Sequence, residues 1–239
     1  MENKRNSDEN YEIFGKAIPQ LIHDIRNPLN IIIGFSSIIQ MDENFNEETK
    51  SYLKKIYQAG LSIEQMLSNI DIYIMGIDEL QKDYFYLNEE LDAFLKSKED
   101  IIAEKNIYIK NLSTEKYKVN FSPDLFKRIL ENIFYFSLKG FRNSKIKEIF
   151  ILIKKERDIL TIYYGDSSDI ISIGNDYFTI EEILNNKRGL GLIFLEKFIK
   201  YANGNIKYLH GNNWSNVVKD LNIKTEHGFI IEIPMEFVD

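Results

Sequence analysis

Residues 21–29, Leu-Ile-His-Asp-Ile-Arg-Asn-Pro-Leu, lie within a longer stretch whose apolar side chains recur at alternating steps of three and four. The apolar positions of the whole stretch are Ile18, Ile22, Ile25, Leu29, Ile32 and Ile39, and Ser36 fills the one remaining place. A period of about 3.5 residues indicates a helix with a single apolar seam. The sequence therefore predicts that residues 21–29 lie on the first helix of a helical bundle.

A second stretch further along the chain has the same spacing. Its seam consists of Ile56, Ile63, Leu67, Ile70, Ile74 and Ile77, and Gly60 interrupts it. The polar residues 41–46 predict a turn between the two helices, and Glu47 and Glu48 suit the positive end of the second helix. Because two helices alone leave half of each seam exposed, we expect a second copy to complete a four-helix bundle. Residues 10–80 are thus predicted to form a homodimerisation domain.

The composition excludes several classes of protein. The chain has 239 residues, of which 44% are hydrophobic and 28% charged, so it is not wholly disordered. Without cysteine it has no disulfide, thiol nucleophile or thiolate metal site. The net charge of -7 argues against nucleic acid as a general partner, and no apolar run approaches the roughly 18 residues of a membrane span. The first ten residues are polar and acidic, unlike a secretory signal, so we expect a soluble, cytoplasmic protein without a membrane span.

From about Tyr84 onward, helical patterns alternate with short runs of β-branched and aromatic residues. Helices are predicted at residues 87–103, 124–139 and 189–202. Strands are predicted at residues 107–109, 117–119, 148–154, 159–164, 206–209 and 229–233, with a turn at 156–158. This mixture indicates an α+β chain whose second domain, residues 84–239, is an α/β sandwich with mostly antiparallel strands.

His23 is the residue with the clearest chemical surroundings. It follows a seam position, so we expect its ring to point outward from the flank of the bundle. Asp24 lies beside it, and Asn27 lies one helical turn further on. Together they offer a nucleophilic imidazole, a carboxylate that can take its proton and an amide that can orient water, although they also fit an ordinary surface histidine. His210 and His227 lack such neighbours and are expected to be structural or solvent-exposed.

The string His-Asp-Ile-Arg-Asn-Pro-Leu at residues 23–29 resembles the H-box of the two-component sensor histidine kinases at seven consecutive positions. The resemblance implies that His23 accepts a phosphoryl group and that Asp24 is its acid–base partner. It further implies that Asn27 positions water in a phosphatase reaction, and that the partner is the receiver domain of a response regulator.

The second domain resembles the ATP-binding domain of the same family, an α/β sandwich of the Bergerat type. In the N-box, Asn132 matches the first asparagine, Ser137 the alanine and Lys139 the lysine. Phe136 stands where the family has the asparagine that holds Mg²⁺. Since a phenyl ring offers no oxygen to this hard cation, the resemblance departs from the family at an important position.

Two glycine-containing boxes follow. Asp166 matches the aspartate that accepts from the adenine amino group, but Ser168 and Ile170 replace the two glycines after it, so the loop loses its permissive backbone positions. Gly189 and Gly191 match a segment whose amides meet phosphates at a helix start, although Gly-x-Gly is also ordinary helix-start chemistry. The resemblance implies ATP and Mg²⁺ as possible cofactors and assigns no metal ligand to the chain. The implied nucleotide contacts are Asn132, Lys139, Asp166, Gly189 and Gly191.

Three functions remain open at this point. The chain is a histidine phosphotransferase or pseudokinase acting on response-regulator aspartates, an ATP-dependent kinase that phosphorylates its own His23, or a non-catalytic partner of a kinase or regulator. Phosphoryl transfer depends on positioning and on charge neutralisation by the metal, so the combined loss of the magnesium asparagine and two glycines favours the first function. The complete H-box argues against the third.

Overall fold

The computed structural model describes residues 22–41, 44–75, 81–141, 145–168, 190–221, 223 and 225–238. The chain divides into two compact units, residues 1–79 and residues 80–239. Of the residues singled out above, Ile18, Ile77, Ile170 and Gly189 lie outside the described part. No helix within the described ranges is long and apolar enough to cross a membrane.

The first unit is a hairpin of two helices, α1 (22–40) and α2 (Glu47–Met75). The second helix begins where the sequence predicts, because the Asn46 side chain accepts a hydrogen bond from the Thr49 amide at 2.8 Å. This bond satisfies one of the amides that a helix start leaves without an intrahelical partner. Gly60 lets the helices approach closely, since a Cβ at this position would lie 2.6 Å from the Ile33 side chain.

Only half of each predicted seam is buried inside the hairpin. The buried cluster consists of Ile22, Leu29 and Leu67, with Ile33 and Ile70 packed against it. The alternate seam positions are 39–48% exposed, and they are Ile25, Ile32, Ile56 and Ile63. The two helices of one chain therefore leave a second apolar face uncovered, as expected for a hairpin that pairs with another copy.

The second unit is an α/β sandwich with two sheets. Its strands are β1 (Asp83–Tyr86), β2 (Ile107–Asn111), β3 (Lys118–Phe121), β4 (Lys147–Glu156), β5 (Ile159–Asp166), β6 (Asn205–His210), β7 (His227–Pro234) and β8 (Glu236–Val238). Its helices are α3 (Leu87–Ser97), α4 (Glu99–Glu104), α5 (Pro123–Gly140), α6 (Leu190–Tyr201) and α7 (Gly211–Val218). The small sheet has the order β1-β3-β8 and the large one β2-β4-β5-β7-β6. All described pairings are antiparallel except that of β2 with β4.

The predicted single helix over residues 87–103 is wrong. The chain forms α3 and α4 instead, because Lys98 leaves helical geometry with φ −108° and ψ 6°. The Ser97 hydroxyl donates to the Phe94 carbonyl at 2.7 Å, which competes with continuation of the helix. At the break, the Lys98 ammonium lies 2.9 Å from the Glu131 carboxylate on α5.

The large sheet is covered on both faces near the end of β5. Side chains on a strand alternate between faces, so neighbouring residues of β7 contact different helices. On one face, the Phe229 ring packs 5.2 Å from that of Phe136 on α5. On the other, a Cβ at Gly228 would lie 2.3 Å from Trp214 on α7, whose ring also packs 5.6 Å from that of Phe150. The sequence did not predict α7.

Candidate functional site

His23 lies in the first turn of the described part of α1, on its solvent side. Its side chain is 66% exposed and that of Asp24 is 60% exposed. The imidazole Nδ1 lies 3.3 Å from Asp24 Oδ1. Asn27 is also exposed, one turn further along the helix. The outward orientation expected for His23 is therefore observed, with a carboxylate against one ring nitrogen.

An ion pair next to His23 joins the two helices of the hairpin. Arg26 Nε lies 3.0 Å from Glu64 Oε1 and 3.2 Å from Oε2, and both side chains are half-buried. Together with buried Ile22 and Leu29, this pair fixes the α1 turn that carries His23 against α2. The sequence reading missed Glu64, because nothing in its local sequence marks it as the partner of a residue 38 positions away.

Asp166 is the centre of a buried polar network in the sandwich unit. Its Oδ1 accepts from the Ser168 amide at 2.7 Å and faces His227 Nε2 at 3.1 Å. Its Oδ2 accepts from the Ser137 hydroxyl, and the Tyr164 hydroxyl donates to that same Ser137 oxygen at 3.0 Å. All five side chains are buried. Both carboxylate oxygens are thus engaged by groups of the chain itself.

The network keeps Asp166 ionised and Tyr164 neutral. Burial raises the pKa of Asp166, but the hydrogen bond and electrostatic attraction of His227, with the bonds from Ser137 and Ser168, outweigh it and hold the pKa below its ordinary 3.8. Burial and the neighbouring Asp166 charge raise the pKa of Tyr164 well above 10.0. The result is a buried negative charge that is hydrogen-bonded by Ser137 and Ser168 and faces His227.

The N-box residues are placed on both sides of α5. Asn132 is buried, its amide donates to the Arg128 carbonyl at 2.8 Å, and a Cβ at Gly191 would lie 3.3 Å from Asn132 Oδ1. The structure thus brings together the matching residues of two boxes. Phe136 is buried in the core, and Lys139 is exposed. Within the described ranges, no group of three or more histidine and acidic side chains is arranged to hold a metal ion.

His227 is structural, one of the two alternatives that the sequence predicts for it, since it is completely buried against Asp166. Its pairing with Asp166 was not predicted. The two residues lie 61 positions apart and meet because β5 and β7 pair with Asp166 opposite His227. Only the register of that ladder, which local sequence does not specify, could have revealed the pair.

Comparisons with known proteins agree with this architecture. The His Kinase A (phospho-acceptor) domain family matches residues 16–73. Sensor histidine kinase YvrG of Bacillus subtilis (strain 168) is 21% identical over 239 residues, covering 90% of this chain and 38% of that protein. Sporulation kinase D of the same organism is 22% identical over 212 residues, covering 86% of this chain and 41% of that protein. The chain thus spans less than half the length of these two curated relatives.

Two solved structures have a similar fold. Full-length ShkA in complex with AMPPNP has a TM-score of 0.60 at 13% identity, covering 93% of this chain and 46% of that chain. Histidine kinase ThkA in complex with response regulator protein TrrA has a TM-score of 0.54 at 23% identity, covering 98% of this chain and 65% of that chain. The residues that match the phospho-acceptor domain thus precede an α/β sandwich in this chain. Residues 16–73 match a phospho-acceptor domain family, and the chain as a whole is similar to histidine kinases.

Proposed function

We propose that this chain exchanges phosphoryl groups between His23 and the aspartate of a response-regulator receiver domain, with ATP use impaired or absent. Residues 10–80 serve as the dimerisation and phosphotransfer domain, and residues 84–239 as an ATPase-like domain with degenerate nucleotide boxes. The observation that carries the proposal is a contrast. His23 is exposed beside its acid, while Asp166, the counterpart of the adenine-binding aspartate, has both oxygens engaged inside the protein.

The geometry at His23 fits a simple transfer step. With Nδ1–H donating to Asp24, the lone pair of the neutral imidazole is on Nε2. This nitrogen attacks the phosphorus of a receiver aspartyl phosphate, a P–N bond forms, the P–O bond breaks and the aspartate carboxylate leaves. Asp24 takes the Nδ1 proton as the ring acquires positive charge, acting as a general base. The reverse sequence returns the phosphoryl group to the receiver.

The sandwich unit supports the part of the proposal that concerns ATP. A nucleotide base would need an open acceptor on Asp166, but this carboxylate is buried and bonded to Ser137, Ser168 and His227. Magnesium would need an oxygen at position 136, where a phenyl ring packs against Phe229 instead. The residues present do not fit Mg-ATP at these two points.

Two partners belong to the proposal. A second copy covers the exposed seam residues of the hairpin, because Ile25, Ile32, Ile56 and Ile63 continue the apolar seams and the hairpin itself leaves them 39–48% exposed. A receiver domain is the phosphoryl donor and acceptor, in keeping with the solved ThkA relative, which is in complex with response regulator protein TrrA.

An ATP-dependent autokinase is the second candidate. It is favoured by the contact between Asn132 and Gly191, which retains two matching boxes in proximity, and by the kinase names of both relatives. ShkA, with the same fold, is in complex with AMPPNP. In this alternative a residue other than Phe136 holds the metal.

One experiment separates the two candidates. The purified full chain is incubated either with γ-labelled ATP and Mg²⁺ or with a phosphorylated receiver domain, with His23→Gln as the matched control in both arms. We expect labelling of His23 from the receiver, little from ATP, and none in the control. Robust labelling of wild-type His23 from ATP alone would restore the autokinase, and receiver-derived label that persists in His23→Gln would exclude His23 as the acceptor.

A further inference from the structure

A carboxylate and an imidazole meet at the end of the β5–β7 ladder. Asp166 is the last residue of β5 and His227 the first of β7, and the ladder pairs them directly. Both side chains are 1% exposed, and His227 Nε2 lies 3.1 Å from Asp166 Oδ1. An imidazole therefore takes up one of the hydrogen-bonding positions of a carboxylate that has no contact with water.

The backbone beneath this pair is held from the opposite face of the sheet. The preceding and following residues, Gly165 and Gly228, also pair in the ladder. A Cβ at Gly165 would lie 2.7 Å from the Trp214 ring, and one at Gly228 would lie 2.3 Å from it. Trp214 is completely buried, and its Nε1 donates to Thr225 Oγ1 at 3.1 Å. The positions of Asp166 and His227 are consequently set by packing on both faces of the sheet.

Among the described residues, the imidazole finds a hydrogen-bond partner for only one of its two nitrogens. Nε2 faces Asp166 Oδ1, with Ser168 Oγ 3.4 Å away, and the ring lies 5.5 Å from that of Tyr208. Nδ1 is buried and has no hydrogen-bond partner in the part of the chain that the structure describes. A buried histidine normally has hydrogen-bond partners for both ring nitrogens. Among the described residues, this ring instead has the Nε2–H bond to Asp166 and the packing of its aromatic ring against Tyr208.

We infer that His227 is an internal ligand of Asp166, a built-in planar N–H donor that fills the place a nitrogen heterocycle such as a nucleotide base would otherwise take. This inference rests on the proposed function, in which the sandwich unit does not use ATP, and it names the residue that excludes the base. Shortening the His227 side chain then opens a flat cavity whose one polar wall is an ionised carboxylate.

The first test removes the His227 ring and supplies imidazole in solution instead. In the full-length His227→Gly variant, we expect the melting temperature to fall by about 5 °C or more. Rising concentrations of imidazole should restore it by binding the native state, while the wild type does not respond. Furan, a five-membered aromatic ring without an N–H donor, is the matched control and should not restore stability. A failure of imidazole to stabilise the variant, or equal rescue by furan, overturns the inference.

The comparison can also be made if the His227→Gly variant does not fold without added imidazole. Where His227→Gly does not fold alone, the same comparison is made on refolding yield with imidazole, furan or neither. His227→Ser is the second variant, since its hydroxyl retains a donor but leaves most of the ring volume empty. Imidazole should raise the recovery of both variants, and equal recovery with and without imidazole contradicts the inference.

The second test asks what the ring excludes. His227→Gly should bind adenosine at least tenfold more tightly than the wild type, by calorimetry without Mg²⁺, and adding Asp166→Asn should remove that gain. If His227→Gly binds adenosine no more tightly than the wild type, the inference is wrong. It is also wrong if the wild type binds adenosine and Asp166→Asn abolishes that binding, because the carboxylate would then be available beside His227. These outcomes differ from failure of the proposed function, which is labelling of wild-type His23 from ATP. If ATP labels His23 and the Asp166→Asn substitution does not change that labelling, the proposed function is refuted but the inference about His227 is not.

Discussion

At the scale of single residues, Asp24 is the group whose removal should slow phosphoryl transfer without removing the acceptor. Asp24→Asn keeps the size of the side chain but cannot take the proton from Nδ1, and a positioned general base contributes roughly 10²–10⁴-fold to such steps. We predict that transfer from a phosphorylated receiver slows about 100-fold, with His23 still the residue labelled. Rapid-quench kinetics of the labelled protein measure this rate.

The matched control for this prediction is Glu47→Gln. It makes the same change of charge at a side chain on α2 that is 94% exposed, so the transfer rate should stay at the wild-type value. A similar loss of rate in Asp24→Asn and Glu47→Gln would show a general effect of charge on receiver binding and would remove Asp24 from the transfer step.

Asp166 is predicted to contribute pH-dependent stability. Its native pKa is lower than the ordinary 3.8, so the ionised carboxylate stabilises the fold above that pH, and the stabilisation is lost as the pH falls through the native value. Asp166→Asn should lower the free energy of unfolding by about 2–3 kcal/mol at neutral pH. The difference from the wild type should shrink below about pH 4.

Fluorescence of the single tryptophan, Trp214, during urea unfolding reports this difference, because the ring packs beneath the Asp166–His227 pair. Tyr164 and His227 are the further titratable groups at the network, and the raised pKa of Tyr164 keeps it neutral throughout this range. Asp92→Asn, at an exposed position within α3 and beyond its first turn, is the control and should leave stability unchanged at both pH values. A constant difference for Asp166→Asn from neutral pH to pH 3 would contradict the depressed pKa of Asp166.

At the scale of the secondary-structure elements, the exposed seam of the hairpin should be the dimer interface. Ile25→Lys places a charge at a position that the hairpin itself leaves 39% exposed, so the monomer tolerates it. Inside a dimer the same charge would be buried without a partner, at a cost of several kcal/mol. We predict that sedimentation velocity finds a dimer for the wild type and a monomer for Ile25→Lys, with unchanged helix content.

Asn30→Lys provides the control on the same helix, because it adds the same charge at an exposed polar position and should leave the dimer intact. Ile22→Lys, at a position buried within the hairpin, should instead lower the helix content. A monomeric wild type at micromolar concentration would refute the interface.

The same elements show how far the sequence predicts this fold. The two long helices were predictable because their apolar residues recur over many turns, and so was the sandwich, since β4 and β5 are joined by the predicted turn with Glu156 opposite Ile159. The helix α7 was not. Its sequence, Gly-Asn-Asn-Trp-Ser-Asn-Val-Val, is typical of a turn, and the tertiary contacts of Trp214 stabilise it.

The candidate site, like the fold, was predictable where neighbouring residues form it and not where distant segments meet. His23, Asp24 and Asn27 are neighbours in sequence, so their proximity follows from the helix alone. The partners of Asp166 lie on three elements: Ser137 is on α5, Ser168 follows β5 and His227 begins β7. Only the folded unit brings them together.

At the scale of the whole molecule, the changes in the nucleotide boxes lie on several elements, so the proposed function predicts that repair of one box does not produce labelling from ATP. Phe136→Asn returns the oxygen ligand expected of the family to α5, but Asp166 remains bonded to Ser137, Ser168 and His227. The new amide would also replace a buried ring that packs 5.2 Å from Phe229, at a cost of about 3–5 kcal/mol. We predict no gain of label from Mg-ATP at His23 and lower stability in urea.

Phe136→Leu, which keeps the site apolar, should lose less stability and also gain no label. Labelling of His23 from ATP by Phe136→Asn alone would show that one missing metal ligand is the entire defect, and that the buried network at Asp166 does not limit nucleotide use.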